Sequence, residues 1–189
     1  MTPIDVSALS PLPWKNGSGV TRTIAISPQE ADLEHFDWRI SIADVASSAK
    51  FSPFPGIDRT ILLLDGAGII MQLDGRVIPL TAPFIPYAFS GDDIVCYRLV
   101  NGSTRDLNVM TRRGRAQADV QVWQSEVQSR VTADAALFYC ARGACRINAS
   151  PLEGGWALHV DRPVSEITFE PHTPGAVLIA VLITNLETS

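Results

Sequence analysis

An acid–base pair stands directly before a run of apolar residues in the segment Phe51–Gly68: Asp58 and Arg59 precede Ile61–Leu64. If a regular strand begins here, Asp58 shares a face with alternate residues of that run, and we expect it to point inward. A carboxylate in that position needs a hydrogen bond or a cation, which makes Asp58 a candidate for contacting a ligand at a barrel mouth. Arg59 joins the same pocket only if the turn is distorted. An ion pair or turn stabiliser is the alternative for both.

Arg39 is the strongest candidate for holding an anion. It lies in Trp38–Val45, where Trp38 and Ile40 share one strand face and Arg39 takes the opposite one. A guanidinium binds a carboxylate through charge-assisted hydrogen bonds. The other cations considered for this role are Lys15, Arg22 and Arg98.

Two further segments could contact a ligand. The loop Asn16–Gly19 offers backbone N–H groups that can cradle a carboxylate, so Asn16 is a candidate. Asp106, Asn108 and Met110 fall on one strand face that is polar at one end and apolar at the other, as expected at a barrel lip. An edge strand with solvated polar side chains is the alternative. Of these three residues, Asn108 and Met110 are taken as ligand-binding candidates.

Three residues beside turns complete the set. Phe54 and Phe89 could form a pocket wall, although aromatic side chains lie more often in the core. Asp92 follows Gly91 and is most simply a turn residue. It stays a candidate because it belongs to one of the motifs described below.

No metal, cofactor or catalytic residue is expected. The three histidines, His35, His159 and His172, are scattered, whereas a first-row metal needs three or four ligands gathered together. There is no Gly-x-Ser-x-Gly turn, and no serine or cysteine stands near a histidine and an acid.

The overall composition limits the partners. A net charge of −5 argues against non-specific nucleic-acid binding, and the apolar runs are too short to cross a membrane. No signal peptide is evident. The three cysteines are an odd number at unremarkable spacings, which favours reduced thiols over a disulfide framework. The cytoplasm is therefore the expected location. A small anionic metabolite is the expected partner, and a homodimer stays open.

Short apolar segments separated by Gly and Pro turns, without helical periodicity, predict an all-β sandwich or barrel. Asp74-Gly75 predicts a two-residue hairpin turn. Residues 63–68 resemble 140–145, and 94–100 resemble 176–182, which indicates a duplicated module. The charged segment 112–115 suggests a linker, so we predict modules at 1–114 and 115–189 in one compact unit, with the pocket in the first. Residues 1–13 are expected to be irregular.

Five ordered motifs resemble the HutD/Ves family of small bacterial cupin-like proteins. They are Trp14-Lys15-Asn16-Gly17-x-Gly19-x-Thr21-Arg22, Trp38-Arg39-Ile40-Ser41-Ile42-Ala43, Phe51-Ser52-x-Phe54-Pro55-Gly56-x-Asp58-Arg59, Phe89-x-Gly91-Asp92 and Asp106-x-Asn108-x-Met110-x-Arg112-Arg113. The match spans residues 14–114. One departure is visible, because Ser18 stands where the family usually has a third glycine.

The resemblance implies a double-stranded β-helix, the cupin jelly roll, with two cupin modules forming a bicupin. Cupins usually bind a metal through a His-x-His motif, yet the corresponding segment here, Pro55–Arg59, has no histidine. HutD members are associated with histidine catabolism and a small-ligand pocket, and the Ves branch with stress response.

Three functions are therefore open. The first is a non-catalytic binding or regulatory protein for a carboxylate metabolite such as urocanate or a formyl or formimino derivative of glutamate. The second is a metal-free isomerase or hydrolase with Asp58 as general base. The third is an interaction module, of the Ves type or with a jelly-roll edge that pairs with a partner chain.

Overall fold

The computed structural model describes residues 1–186, which form β-strands and one 3-10 helix, Val6–Ala8. The strands are β1 (Thr2–Asp5), β2 (Leu12–Pro13), β3 (Gly19–Ser27), β4 (Trp38–Val45), β5 (Ala49–Lys50), β6 (Ile57–Gly66), β7 (Ile69–Leu73), β8 (Arg76–Leu80), β9 (Tyr87–Ser90), β10 (Val95–Leu99), β11 (Thr104–Arg112), β12 (Ala116–Trp123), β13 (Val127–Ala133), β14 (Ala135–Arg142), β15 (Ala144–Ile147), β16 (Ser150–Glu153), β17 (Trp156–Val160), β18 (Val164–Pro171) and β19 (Val177–Asn185). Within this range no helix has the length and apolar character needed to span a bilayer.

The chain divides into two units, and each contains a larger and a smaller antiparallel sheet. The first unit is Ser10–Arg113. Its larger sheet has the strand order β2-β3-β4-β11-β6-β9, and its smaller sheet has the order β5-β10-β7-β8. The second unit comprises Met1–Leu9 and the chain from Gly114 onward. Its sheets have the orders β1-β17-β14-β19-β12 and β13-β18-β15-β16.

Both units wind their strands in the same way. Counting from β4 or from β12, the larger sheet contains the first, eighth, third and sixth strands in that order, and the smaller sheet the second, seventh, fourth and fifth. This order is an eight-stranded jelly roll. Residues 63–68 and 140–145 both lie at the end of a third strand, so that sequence match joins equivalent elements. The match of 94–100 with 176–182 was wrong, because it pairs a seventh strand with an eighth.

The prolines of residues 1–13 predict an irregular segment, and this prediction is wrong for the first residues of the chain. Thr2–Asp5 pairs antiparallel with Trp156–Val160 at the edge of the larger sheet of the second unit. Asp5 then caps the 3-10 helix, because its carboxylate accepts hydrogen bonds from the N–H and hydroxyl of Ser7. Backbone pairing thus outweighs the local preference of this segment.

The two units fill their interiors differently. The second unit is packed with apolar side chains, and Trp123 lies 6.3 Å from Phe138 and 6.0 Å from Phe169 between ring centroids. The first unit has an apolar cluster as well, which includes Ile61 and Met71. All the buried polar or charged side chains among residues 1–186 lie in the first unit: Ser18, Arg39, Ser41, Arg59, Thr104, Asp106, Asn108 and Thr111.

Two glycine turns bound β7. The predicted hairpin at Asp74-Gly75 is confirmed: Leu73 pairs with Arg76, and both turn residues have positive φ, 49° and 75°. At the other end, Gly68 has φ +82° where the chain passes from one sheet to the other. A Cβ there would collide with the backbone carbonyl of Leu80, so the crossing requires glycine.

Replacing Gly68 by alanine should therefore destabilise the first unit more than replacing Gly75 does. Gly75→Ala meets only the left-handed backbone penalty of about 1–2 kcal/mol, because nothing lies within 4 Å of its Cβ position. Gly68→Ala adds a backbone collision, which we expect to raise the total to roughly 2–5 kcal/mol. Urea unfolding of the two variants measures this difference. Equal losses would contradict the close approach.

Candidate functional site

A cavity of about 900 Å³ opens in the first unit over the larger sheet. That volume is within the range of small-molecule sites. The cavity is lined by Leu12, Pro13, Trp14, Lys15, Asn16, Thr21, Leu33, Glu34, Arg39, Ser41, Ala43, Lys50, Phe51, Ser52, Pro53, Phe54, Pro55, Ile57, Arg59, Asn108, Met110 and Arg112. Half of these residues are apolar, and the cationic residues of the lining outnumber its one acidic residue, Glu34.

Strand register brings two arginines to the same level of this cavity. Met110 on β11 lies opposite Arg39 on β4 and, on its other side, opposite Arg59 on β6. Directly opposed residues of antiparallel strands lie about 5 Å apart between Cα atoms, so the two arginines flank one methionine. One step along, Asn108 lies opposite Ser41. The two-residue period of the three strands thus places a row of polar side chains on the floor of the cavity.

Arg59 is held by an amide and by aromatic rings. Its side chain is 5% exposed, and Nη2 donates to Oδ1 of Asn108 at 2.9 Å. The guanidinium carbon lies 5.0, 5.6 and 4.8 Å from the ring centroids of Phe51, Phe54 and Phe89. Such contacts stabilise a cation that has lost its water. Nε is buried without a hydrogen-bond acceptor among the described residues.

Arg39 is held by a hydroxyl. It is 6% exposed, and Nε and Nη2 donate to Oγ1 of Thr23 at 3.1 and 2.8 Å. Burial lowers the pKa of Arg39, and burial lowers the pKa of Arg59 to about 10, with Arg39 adding to the effect. Both guanidinium groups therefore remain charged near neutral pH.

No carboxylate of the described residues forms an ion pair with either arginine. The negative charge that acts on Arg59 is Asp106, which lies behind Asn108 and is 3% exposed. Oδ1 of Asp106 accepts a hydrogen bond from the Asn108 amide, and Oδ2 is buried without a donor. Burial raises the pKa of Asp106 to about 7, against the favourable charge of Arg59.

The Arg112 side chain fixes part of the cavity rim through hydrogen bonds to backbone carbonyls. Its guanidinium donates from Nε to the carbonyl of Phe36 at 2.8 Å and from Nη2 to that of Glu34. It also lies 5.6 Å from the Phe36 ring centroid. Because Leu33 and Glu34 line the cavity, Arg112 ties this loop to the end of β11.

The expectation that Asp58 points inward is wrong. Its side chain is 59% exposed and forms an ion pair with Arg113 at 2.9 Å, whereas Arg59 faces the interior. The strand alternates in the opposite phase, with Ile57, Arg59 and Ile61 buried. Asp58 therefore does not contact the cavity, and the geometry gives no support to a general base at this position.

Asp92 also lies outside the cavity and fixes its wall. Arg113 bonds to its carboxylate, and the Gly56 N–H donates to it at 2.9 Å. Both contacts hold the pKa of Asp92 at about 2. Gly91 packs against the carbonyls of Phe54 and Ile57 so closely that a Cβ would not fit. The Phe54 side of the cavity is thereby anchored from behind.

Of the nine residues predicted to bind a ligand, six line the cavity: Asn16, Arg39, Phe54, Arg59, Asn108 and Met110. Phe89 lies behind Arg59 and contacts its guanidinium, while Asp58 and Asp92 face away. The Asn16 carboxamide accepts hydrogen bonds from the N–H and hydroxyl of Ser18 at 3.0 and 2.7 Å, which shapes the loop at the mouth. Phe51, Ser41 and Asp106 were not predicted. The sequence does place Asp106 on the same strand face as Asn108, and this alternation is the pattern from which its position beside the site could have been predicted.

The donor set does not fit a metal. Among residues 1–186, no three His, Cys, Asp or Glu side chains are grouped as ligands would be. The polar row presents guanidinium groups, which carry positive charge and no lone pair for a cation. The cavity chemistry favours an anion.

A family model described as HutD matches residues 7–178. The chain belongs to the HutD family. It is 34% identical over 142 residues to an uncharacterised protein from the hutC 3′ region of Pseudomonas putida, covering 75% of this chain and 74% of that protein. It is also 34% identical to Protein Ves from Cronobacter sakazakii, covering 76% and 79%.

Solved structures share the fold over nearly the whole chain. HutD from Pseudomonas fluorescens SBW25, in a structure described as the formate condition, superposes with a TM-score of 0.88 at 30% identity, covering 98% and 99% of the two chains. The bacterial pirin YhhW of Escherichia coli, in complex with nickel(II), gives 0.70 at 10% identity, covering 97% and 99%. The second likeness concerns the fold alone. The predicted all-β bicupin is confirmed.

Asp106 should make stability depend on pH. Its pKa of about 7 in the folded protein lies above the ordinary value of 3.8. Below about pH 4 the Asp106 carboxyl group is protonated in both the folded and the unfolded protein. Between about pH 4 and pH 7 it is ionised in the unfolded chain but still protonated in the folded protein. The free energy of unfolding should then fall by up to about 4 kcal/mol and level off above pH 7.

The free energy of unfolding of an Asp106→Asn variant should not fall in this way. The difference in this free energy between the variant and the wild type should therefore grow in favour of the variant between about pH 4 and pH 7. Urea unfolding across that range measures the difference between the two proteins. Asp74→Asn, in the exposed hairpin turn, is the control and should follow the wild type. Parallel curves for the wild type and Asp106→Asn would contradict the raised pKa.

Proposed function

We propose that the protein is a binding or regulatory protein of the HutD type that takes a small carboxylate metabolite into the cavity of the first unit. Arg39 and Arg59 hold the carboxylate, and Asn108 fixes Arg59. No catalytic residue is assigned. Urocanate and the N-formyl and N-formimino derivatives of glutamate, all carboxylates of histidine breakdown, are the ligands to test first.

The observation that carries this proposal is the burial of two guanidinium groups beside a cavity without an ion-pair partner among the described residues. Burying an uncompensated charge costs stability. Arginine is suited to carboxylates because its planar fork donates two parallel hydrogen bonds. A bound carboxylate would supply the missing negative charge at this position.

The cavity walls favour a ligand larger than formate. Trp14, Leu33, Phe51 and Phe54 surround the polar row with apolar surface. Lys15 and Lys50 lie at exposed positions of the lining and could pair with a second anionic group. A carboxylate with a planar or short aliphatic body, and a second polar end, fits this arrangement.

The relatives support the same direction. The Pseudomonas putida relative comes from the hutC 3′ region, and the Pseudomonas fluorescens HutD structure was obtained in a formate condition. A carboxylate is the chemical feature that formate shares with the proposed ligands. The sequence similarity extends equally to Protein Ves, so it is the cavity chemistry and not the family match that favours the binding role.

Thermal-shift titration with the three metabolites tests the proposal. A ligand that binds only the folded state at one hundred times its dissociation constant adds about 2.7 kcal/mol, or roughly 5–10 °C for a chain of this length. Arg39→Met and Arg59→Met keep the bulk of the side chain but remove a charge-assisted bond. Each should weaken binding roughly tenfold to a hundredfold.

Arg98→Met is the matched control, because Arg98 is exposed on β10 and does not line the cavity. It should bind as the wild type does. If none of the three metabolites binds at millimolar concentration, or if both cavity variants bind normally, the proposal fails. Ligand spectra followed by NMR should show no conversion, and turnover would replace a binding role with catalysis.

A further inference from the structure

Asp106 is a buried carboxylate with half of its hydrogen-bonding capacity unused. Oδ1 accepts from the Asn108 amide, which in turn accepts from Arg59. Oδ2 has no donor among the described residues. The chain Asp106–Asn108–Arg59 therefore connects a buried acid to the anion site through one amide.

The surroundings of Oδ2 explain why the ionised form is costly. Asp106 borders a void of about 10 Å³, whose other lining residues are Ile61, Leu63, Ile69, Leu80 and Thr104. A void of this size is at the lower limit for one water molecule. The Thr104 hydroxyl donates elsewhere, to the carbonyl of Asp65 at 2.8 Å. An ionised carboxylate here has little to replace its lost hydration.

The charged groups around Asp106 act in opposite directions. Arg59 on β6 favours the ionised form, whereas Asp44 on β4 opposes it. Asp44 is itself paired with Arg22 at 2.6 Å and Arg105 at 2.7 Å. Tyr97 on β10 also faces Asp106, and the charge of that carboxylate adds to the burial that raises the pKa of the Tyr97 phenol. Arg59 is in turn close enough to Arg39 for the charge of Arg39 to lower the pKa of Arg59.

We propose that Asp106 is a positioning residue for the anion site and that, above neutral pH, carboxylate binding at Arg39 and Arg59 is accompanied by uptake of up to one proton at Asp106. This inference rests on the proposed function. A bound carboxylate brings a second negative charge to Arg59, which otherwise interacts with Asp106 alone, and it therefore opposes ionisation of Asp106. Two such acids favour protonation of the one that is poorly solvated. The proton comes from solvent, and the only bond formed is the O–H of Asp106.

The sign of the pH effect follows from linkage. The pKa of Asp106 is about 7 without ligand and is higher in the complex. Below pH 7 the acid is protonated in both states, and affinity is highest and constant. Between the two pKa values affinity falls by up to tenfold per pH unit as pH rises, and above the higher value it levels off.

Titration with sodium formate, at ionic strength held constant with sodium chloride, tests this inference. Formate needs only the arginine pair, and its own carboxyl group does not titrate between pH 6 and pH 9. NMR chemical-shift changes give the dissociation constant at about pH 6, 7.5 and 9. Formate binding by the wild type should weaken as pH rises. Asp106→Asn, which mimics the protonated acid, should bind formate with the same dissociation constant across the range. Asp58→Asn, outside the cavity, should keep the wild-type slope.

A second measurement avoids the substitution altogether. The carboxyl ¹³C resonance of Asp106 in the wild type, titrated with and without formate, should report a higher pKa when formate is bound. Formate binding that does not change with pH, or a slope that persists in Asp106→Asn, would overturn the proton linkage and leave the arginine site standing. Absence of formate binding at every pH overturns the carboxylate site, and the linkage with it.

Discussion

The first unit depends on how it accommodates a positive charge that is removed from water and forms no ion pair with any carboxylate of residues 1–186. Arg59 loses its hydration on β6 and recovers only part of it through Asn108 and three phenyl rings. Cation–π contacts contribute on the order of 1–2 kcal/mol, which is less than the several kcal/mol that desolvating a charge costs. The remaining cost is the reason to expect an anion at this position.

The other features of the site follow from that charge. The aromatic residues Phe51 and Phe89 surround the guanidinium instead of filling the cavity, and Arg113 with Asp92 fixes the loop that carries Phe54. The second unit shows the same jelly-roll winding, and the part of it that the structure describes buries no such charge. There Trp123, Phe138 and Phe169 fill the interior. One topology thus supports either a closed apolar core or an open polar row, depending on which side chains face inward.

The sequence predicts the fold and part of the site, for identifiable physical reasons. Strand alternation around Arg39 is unambiguous because Trp38 and Ile40 are both apolar, so its direction is correctly predicted. The run Ile61–Leu64 is apolar on both faces, so it does not determine which residues of β6 face the interior, and the sequence wrongly predicts that Asp58 points inward. Ile57, two residues before Arg59, carries the missing information. The raised pKa of Asp106 depends on burial beneath neighbouring strands, and local sequence does not encode that.

A crystal structure of the protein with N-formyl-L-glutamate tests the central claim most directly. We predict a ligand carboxylate within about 2.7–3.2 Å of guanidinium nitrogens of both Arg39 and Arg59, with the rest of the molecule against the Phe51 and Phe54 walls. A carboxylate bound elsewhere, or a ligand-free crystal in which Asp106 forms a direct ion pair with Arg59, would contradict it.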